Sequence, residues 1–264
     1  MPAVSVVVPT RNSAQTLEAC LHSIRAQSAE SVELIVVDNH SSDSTPQIAG
    51  QLAAEVVTEG PERSRQRNIG ARLASGRWLM FVDSDMVLPP DVISECLTAS
   101  EHATAVIVPE VSVGSGFWSA CKALERSCYV GDDTIEAPRF IDRNFFLQIG
   151  GFDEDLTGPE DWDLANRIRE TGAPTRRTST PIVHDEGRLT LLGTMRSKYY
   201  YGRTFRRYIR KHPSAARSQM TLLRPAYARN LQRLARQPLL AAGMMFMKSC
   251  EIVAGGVGAL APAK

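Results

Sequence analysis

Asp83 and Asp85 stand two residues apart, directly after the apolar run 79–82. At the tip of a strand such a pair of carboxylates can converge on one hard divalent cation, Mg2+ or Mn2+. That ion prefers oxygen ligands and leaves positions open for phosphate oxygens. It neutralises charge that builds up on a departing diphosphate. Two other polar stretches also follow short apolar runs: Pro9-Thr10-Arg11-Asn12 after residues 4–8, and Asp38-Asn39-His40-Ser41-Ser42-Asp43 after residues 34–37. A further acidic group, Glu160-Asp161-Trp162-Asp163, follows Pro159 and opens a helical pattern, and His184 follows the apolar pair Ile182-Val183. Asp43 and Ser44 read as turn and cap residues. Trp162 reads equally well as a stacking platform for a ligand or as core.

These groups need a scaffold that brings separate loops to one edge. Residues 4–8, 34–37, 79–82 and 105–108 are β-branched or apolar runs, short and uniform enough for strands buried on both faces. Between them, residues 14–25, 44–55, 62–74 and 90–101 carry apolar positions at three- and four-residue spacing, with Ser44 before Pro46 and Pro89-Pro90-Asp91 marking two helix starts. Strand and helix in alternation predict a doubly wound α/β fold with a mostly parallel sheet. Ligands of such sheets bind beyond the carboxyl ends of the strands, where the three polar clusters lie. No G-x-G-x-x-G follows the first strand and no G-x-x-x-x-G-K-[ST] occurs, which removes the usual dinucleotide and P-loop readings.

The succession VSVVVPTRN, LIVVDNHSSDST, RQRNIGARLASGRWLMFVDSDM, IGGFDEDL and PEDWDLANRIRETG resembles glycosyltransferase family 2 in order and spacing, over roughly residues 3–190. The resemblance implies a GT-A fold, a nucleoside diphosphate sugar donor, a divalent metal and transfer with inversion at the anomeric carbon. It matches Pro9 and Asp38, with Thr10 and Arg11 beside Pro9, to the nucleotide pocket. It matches Arg67 and Asn68 to an arginine and an asparagine on the donor side, and Asp83 and Asp85 to the metal motif, with Asp85 the direct ligand. Gly151 falls in the loop that approaches the transferred sugar. Inversion needs a base for the acceptor hydroxyl. Asp161 matches that base, with Glu160 and Asp163 as alternatives. His184 matches a position at which some GT-A enzymes place a further metal ligand, and it reads also as a structural histidine.

A chain of 264 residues, with 43% hydrophobic and 22% charged content, suits one large domain or two small ones. Three segments are expected: 1–110 for the nucleotide sugar, 111–190 for acceptor and catalysis, and 191–264 as a helical, basic extension. The net charge of +1 hides a division. Residues 1–186 hold 15 Lys+Arg against 28 Asp+Glu, whereas residues 187–264 hold 15 against Glu251 alone. Such asymmetry points to an anionic partner or to a tail folded onto its own acidic domain. Tyr199, Tyr200, Tyr201, Phe205 and Tyr208 interleave with the basic residues, but nothing resembles a nucleic-acid module. Residues 239–261 are apolar enough to raise the question of a membrane span. Lys248 and Glu251 at their middle favour a helix lying on an anionic membrane surface, or packed on the domain or a second copy.

Five cysteines without a C-x-x-C pair exclude a disulfide framework or zinc site, and no secretory signal is legible, so a cytoplasmic protein at the inner face of the plasma membrane is expected. The expected partners are a nucleoside diphosphate sugar, with UDP favoured and GDP the alternative, and a saccharide or lipid-linked acceptor. The competing class is a nucleotide-binding regulator on a degenerate transferase scaffold. A sugar-nucleotide pyrophosphorylase would call for a glycine- and basic-rich loop that residues 5–12 lack.

Overall fold

A computed structural model describes residues 2–261 other than Glu30, Ala54 and Leu223. The first half alternates as expected: β1 (Val4–Thr10), α1 (Leu17–Arg25), β2 (Val32–Asp38), α2 (Thr45–Leu52), β3 (Glu55–Thr58), α3 (Arg63–Leu73) and β4 (Trp78–Phe81). Every residue of β1 is buried. Val4, Val6 and Val8 join a core with Leu17, Leu21 and Ile24 of α1, while Val7 joins a second core with Phe146 and Leu164 on the opposite face. Alternate side chains of a strand point to opposite faces, so a strand covered on both sides is apolar throughout.

Beyond β4 follow β5 (Met86–Val87), α4 (Val92–Ser100), β6 (Ala105–Ile107), β7 (Glu110–Val113), α5 (Phe117–Ser127), β8 (Pro138–Asp142), α6 (Arg143–Gln148), α7 (Glu160–Glu170), β9 (Thr175–Arg177) and β10 (Ile182–Asp185). The seven-stranded sheet runs β3-β2-β1-β4-β8-β6-β9. All its pairs are parallel except those of β8, which runs antiparallel between β4 and β6. A separate three-stranded sheet, β5-β10-β7, carries His184 paired with Met86. The mostly parallel α/β sheet is the predicted one. Two local expectations fail. The helix expected over 44–55 ends at Leu52 and Glu55 opens the exposed edge strand β3, with Ala54 outside the described residues. The helix expected from residue 14 begins at Leu17.

The basic extension is helical: α8 (Leu191–Lys211), α9 (Pro213–Gln219), α10 (Pro225–Arg229), α11 (Leu231–Ala235) and α12 (Pro238–Leu260). Helix α12 lies against α8 and α5 and does not fray at its glycines. A Cβ on Gly202 of α8 would stand 2.2 Å from the Gly255 carbonyl oxygen, and one on Gly258 2.1 Å from that of Tyr199. The two helices therefore meet backbone to backbone. Gly202→Ala is expected to force them apart, costing about 1–3 kcal/mol and lowering the melting temperature by about 2–4 °C per kcal/mol. Gly256→Ala, with nothing within 4 Å of its new Cβ, is expected to leave stability unchanged or raise it, since Ala favours helix over Gly by about 1 kcal/mol. Thermal unfolding of both variants checks this, and equal melting temperatures would contradict it.

Part of the tail's positive charge meets the acidic domain directly. Lys211 pairs with Asp153 at 2.9 Å and Asp163 at 2.7 Å, Arg207 with Asp155 at 2.7 Å, and Arg229 with Asp132 at 2.6 Å. The charge asymmetry is thus partly an internal docking surface.

Candidate active site

Four polar groups from different elements face one cavity of about 650 Å3: Asp83 and Asp85 from the β4–β5 turn, Asp161 from the first turn of α7, and His184 from β10. Arg67 organises them from behind. It lies on α3 and is 1% exposed. Its Nη2 donates to Asp83 Oδ1 at 2.6 Å and its Nη1 to Asp161 Oδ1 at 3.1 Å. The guanidinium also stacks on Phe152, 5.1 Å from the ring centre. Burying a cation this completely is tolerable only with such partners.

Asp83 is committed on both oxygens, because Arg139 of β8 lies 3.6 Å from its Oδ2. Burial alone would raise its pKa, but Arg67, Arg139 and Arg63 hold the carboxyl well below the ordinary carboxylate range. Arg139 also donates to Glu110 at 2.7 Å. Glu110, like Asp83 only partly exposed, is held far below its ordinary pKa by Arg139 first among its partners.

Asp85 is placed differently. Its Oδ2 lies 3.3 Å from His184 Nε2, and its buried Oδ1 has no hydrogen-bond partner. Burial disfavours a charged His184, yet the carboxylates of Asp85 and Glu110 on its two sides outweigh burial and push its pKa up to about 10. An orphaned carboxylate oxygen beside an imidazole fits the protein half of a divalent site whose remaining positions are filled by ligand oxygens, provided that the imidazole gives up its proton as the ion binds. Among the described residues no three His, Cys, Asp or Glu converge to hold an ion by themselves. Of the three predicted metal residues, Asp85 and His184 come together, and Asp83 sits behind them between two arginines.

Glu160 and Asp161 share the start of α7 but not their exposure. Glu160 is buried, 3.2 Å from Arg63, and burial raises its pKa against the pull of that arginine. The Asp161 side chain is 39% exposed and lines the cavity. Asp163 faces away: it is fully buried and gathers Arg167 at 2.8 Å, Lys211 at 2.7 Å and His212 at 2.9 Å, which fixes the end of α8 to α7. Trp162 both lines the cavity and packs near Tyr208, its Nε1 donating to the Ile135 carbonyl at 3.1 Å.

Asn68 and Gly151 form a supporting pair. Asn68 receives the Phe152 amide at 2.9 Å and donates to the Phe152 carbonyl at 3.0 Å. Gly151 has φ +65°, and a Cβ there would stand 2.5 Å from Asn68 Oδ1. Only glycine suits both the backbone and the space. Pro9, Thr10, Arg11 and Asp38 make a separate group at the ends of β1 and β2, outside the cavity wall. Asp38 accepts from Thr10 Oγ1 at 2.9 Å and from the Ser41 amide at 2.9 Å, which orders the loop after β2. Gln66 Nε2 ties this group to α3 through the Thr10 carbonyl at 2.9 Å.

Sequence reasoning missed Arg63, Glu110 and Arg139. Only Arg63 carried a signal, one helical turn before Arg67. Glu110 and Arg139 lie on β7 and β8, short strands that no apolar run announced.

The chain matches the family model for glycosyl transferase family 2 over residues 5–156, more than half its length. It belongs to that family. It is 35% identical over 194 residues to a PGL/p-HBAD biosynthesis glycosyltransferase of Mycobacterium bovis, covering 69% of this chain and 75% of that one. It is 35% identical over 156 residues to the succinoglycan biosynthesis protein ExoO of Rhizobium meliloti, covering 56% of this chain but only 44% of ExoO, so the chain spans less than half the length of that relative. Among solved structures, the mannosyltransferase PcManGT of Pyrobaculum calidifontis, in complex with GDP-Man and Mn2+, superposes with a TM-score of 0.69 at 22% identity, covering 98% of this chain and 87% of that one. At that identity the likeness establishes the GT-A fold. This family 2 chain therefore has its transferase motifs on the expected scaffold, with a helical extension beyond them.

Proposed function

We propose that this family 2 protein is an inverting glycosyltransferase using a nucleoside diphosphate sugar. The observation that carries the reading is the Arg67 bridge, which holds a metal-motif carboxylate and an exposed, base-like carboxylate at one cavity. Asp161 takes the proton of an acceptor hydroxyl as that oxygen attacks the anomeric carbon. The new carbon–oxygen bond forms on the face opposite the diphosphate, and the bond to the diphosphate breaks. Arg67 fixes the Asp161 carboxylate in place. Glu160, buried and paired with Arg63, shapes that turn. Asp85 and His184 would hold Mn2+ or Mg2+, which when bound supplies positive charge for the departing diphosphate.

The donor side is assigned to residues 1–110, with Gly151 reaching it from the segment 111–190. Pro9, Thr10, Arg11 and Asp38 surround the nucleobase, while Arg67, Asn68, Asp83 and Gly151 support the diphosphate and sugar. UDP is the favoured nucleotide and GDP the alternative; PcManGT with GDP-Man supports nucleotide-sugar and Mn2+ binding by this fold. Residues 111–190 complete the acceptor side and residues 191–264 close it. A lipid-linked saccharide of cell-envelope or exopolysaccharide assembly suits the glycolipid and succinoglycan relatives.

Helix α12 supports a reading of membrane association. It has the length and mean hydropathy, 1.3, of a membrane span, but Lys248 and Glu251 turn inward while Leu239, Phe246, Val253, Val257 and Leu260 face outward. An outward apolar stripe with the exposed Arg233 and Arg236 at its start suits a helix lying on the inner, anionic face of the plasma membrane. Binding to liposomes of graded anionic content should rise with charge and fall with salt. Self-association without lipid binding would instead assign the stripe to a second copy.

Release of nucleoside diphosphate from UDP- and GDP-sugars, with Mn2+ and after chelation, tests the catalytic reading. Metal-dependent release is expected. Tight nucleotide binding without release from any donor would identify a regulator.

A further inference from the structure

The cavity does not end at the metal-motif carboxylates. It continues to a far lobe between α5, α8 and α12, lined by Lys122, Glu125, Ser197, Lys198 and Lys248, with Arg188 on the loop that leads into α8. Two lysines and two glutamates there neutralise one another. Lys122 lies 2.9 Å from Glu125 and 2.8 Å from Glu251, and Lys248 contacts the same two carboxylates. Lys198 is a third lysine beside this balanced set, and no carboxylate of the described residues forms an ion pair with it; the Tyr201 ring lies 5.7 Å from its Nζ, and Glu251 and Glu125 act on it only at longer range. Arg188, exposed at the cavity mouth, likewise forms no ion pair among the described residues. The remaining cavity cations are engaged: Arg63 with Glu160, Arg139 with Asp83 and Glu110, Arg126 with Glu110 and Glu186, and Arg224 with the Gln219 carbonyl. The far lobe therefore carries surplus positive charge in a partly enclosed space, where Ser197 offers a hydroxyl.

Resting on the transferase reading, we propose that Lys198 and Arg188 bind a phosphate or diphosphate group in this lobe, carried by the acceptor. An anion of that kind completes the charge balance that the glutamates leave unfinished, and charge-assisted hydrogen bonds from a lysine and an arginine are its ordinary recognition. Burial, and then the neighbouring Lys122, pull the Lys198 pKa down to about 8, the direction a nearby anion would reverse. Thr10, Asp38 and Asn68 do not line the cavity, whereas Asp83, Asp85 and His184 do, so the donor's diphosphate is the competing occupant that the UDP measurement below separates.

The test uses the full chain with saturating UDP and Mn2+ and titrates farnesyl phosphate, farnesol and inorganic phosphate. Farnesyl phosphate should bind about tenfold or more weakly to Lys198→Met than to the unaltered protein, with affinity restored in Lys198→Arg. Farnesol should bind weakly and equally to all three. A Lys198-dependent affinity for inorganic phosphate equal to that for farnesyl phosphate would support an anion site but overturn its assignment to the acceptor. Unchanged farnesyl phosphate affinity in Lys198→Met would overturn the site itself. Loss of UDP affinity would move Lys198 to the donor. Metal-dependent release of nucleoside diphosphate, measured on the same variants with water as acceptor, reports the transferase reading separately.

Discussion

In an Asp161→Asn variant, turnover is expected to fall by about 10²- to 10⁴-fold, the range for removing a positioned general base. Donor affinity and fold should persist. The amide keeps the shape of the carboxylate and an oxygen to receive Arg67 Nη1, the contact now made at 3.1 Å. The side chain borders solvent in the cavity and supports no apolar core. Glu160→Gln should behave in the opposite sense. It removes a buried charge opposed to Arg63, so stability suffers more than the chemical step. Steady-state rates and melting temperatures of the two variants separate the roles. Full rate in Asp161→Asn together with a collapsed rate in Glu160→Gln would shift the base by one residue.

Asp85→Ala is expected to remove turnover and metal-dependent nucleotide binding together. Asp85 stands at the tip of β4 with His184 as its ion-pair partner, and its free Oδ1 has nothing else to serve. Losing it leaves the two cores of the sheet untouched, so the melting temperature should move by only a few degrees. Asp83→Ala differs, since it strips a partner from the buried guanidinium of Arg67 and should destabilise the protein by roughly 3–5 kcal/mol. Nucleotide binding with and without Mn2+, alongside thermal unfolding, distinguishes the pair. A near-normal rate with an unchanged metal requirement in Asp85→Ala would remove Asp85 from the metal site.

What the sequence made legible follows from where its signal is strong. β1 and β2 were readable because strands covered on both faces are apolar without interruption. The polar clusters after β1, β2 and β4 were readable because parallel strands deliver their carboxyl ends to one edge. β8 was not, since Pro138–Asp142 is five residues long and carries Arg139 and Asp142, yet its antiparallel insertion supplies the arginine that holds Asp83. Local pattern cannot show that pairing. The tail was less legible. Nothing local shows that Gly255 and Gly258 are the places where α12 meets α8. The basic run read as a surface for an anionic partner or for the chain's own acidic domain, and Lys211 and Arg207 take the second role, docking onto Asp163, Asp153 and Asp155. Both outcomes depend on contacts between segments far apart in sequence.

The central claim is a single displacement driven by Asp161. The most direct measurement is proton NMR of the sugar first released when an α-linked UDP-sugar, or the GDP-sugar if that is the donor, turns over with water as acceptor. Inversion predicts that the β anomer accumulates before mutarotation mixes the two, and that Asp161→Asn slows its appearance. Initial accumulation of the α anomer would contradict a single displacement and with it the role given to Asp161.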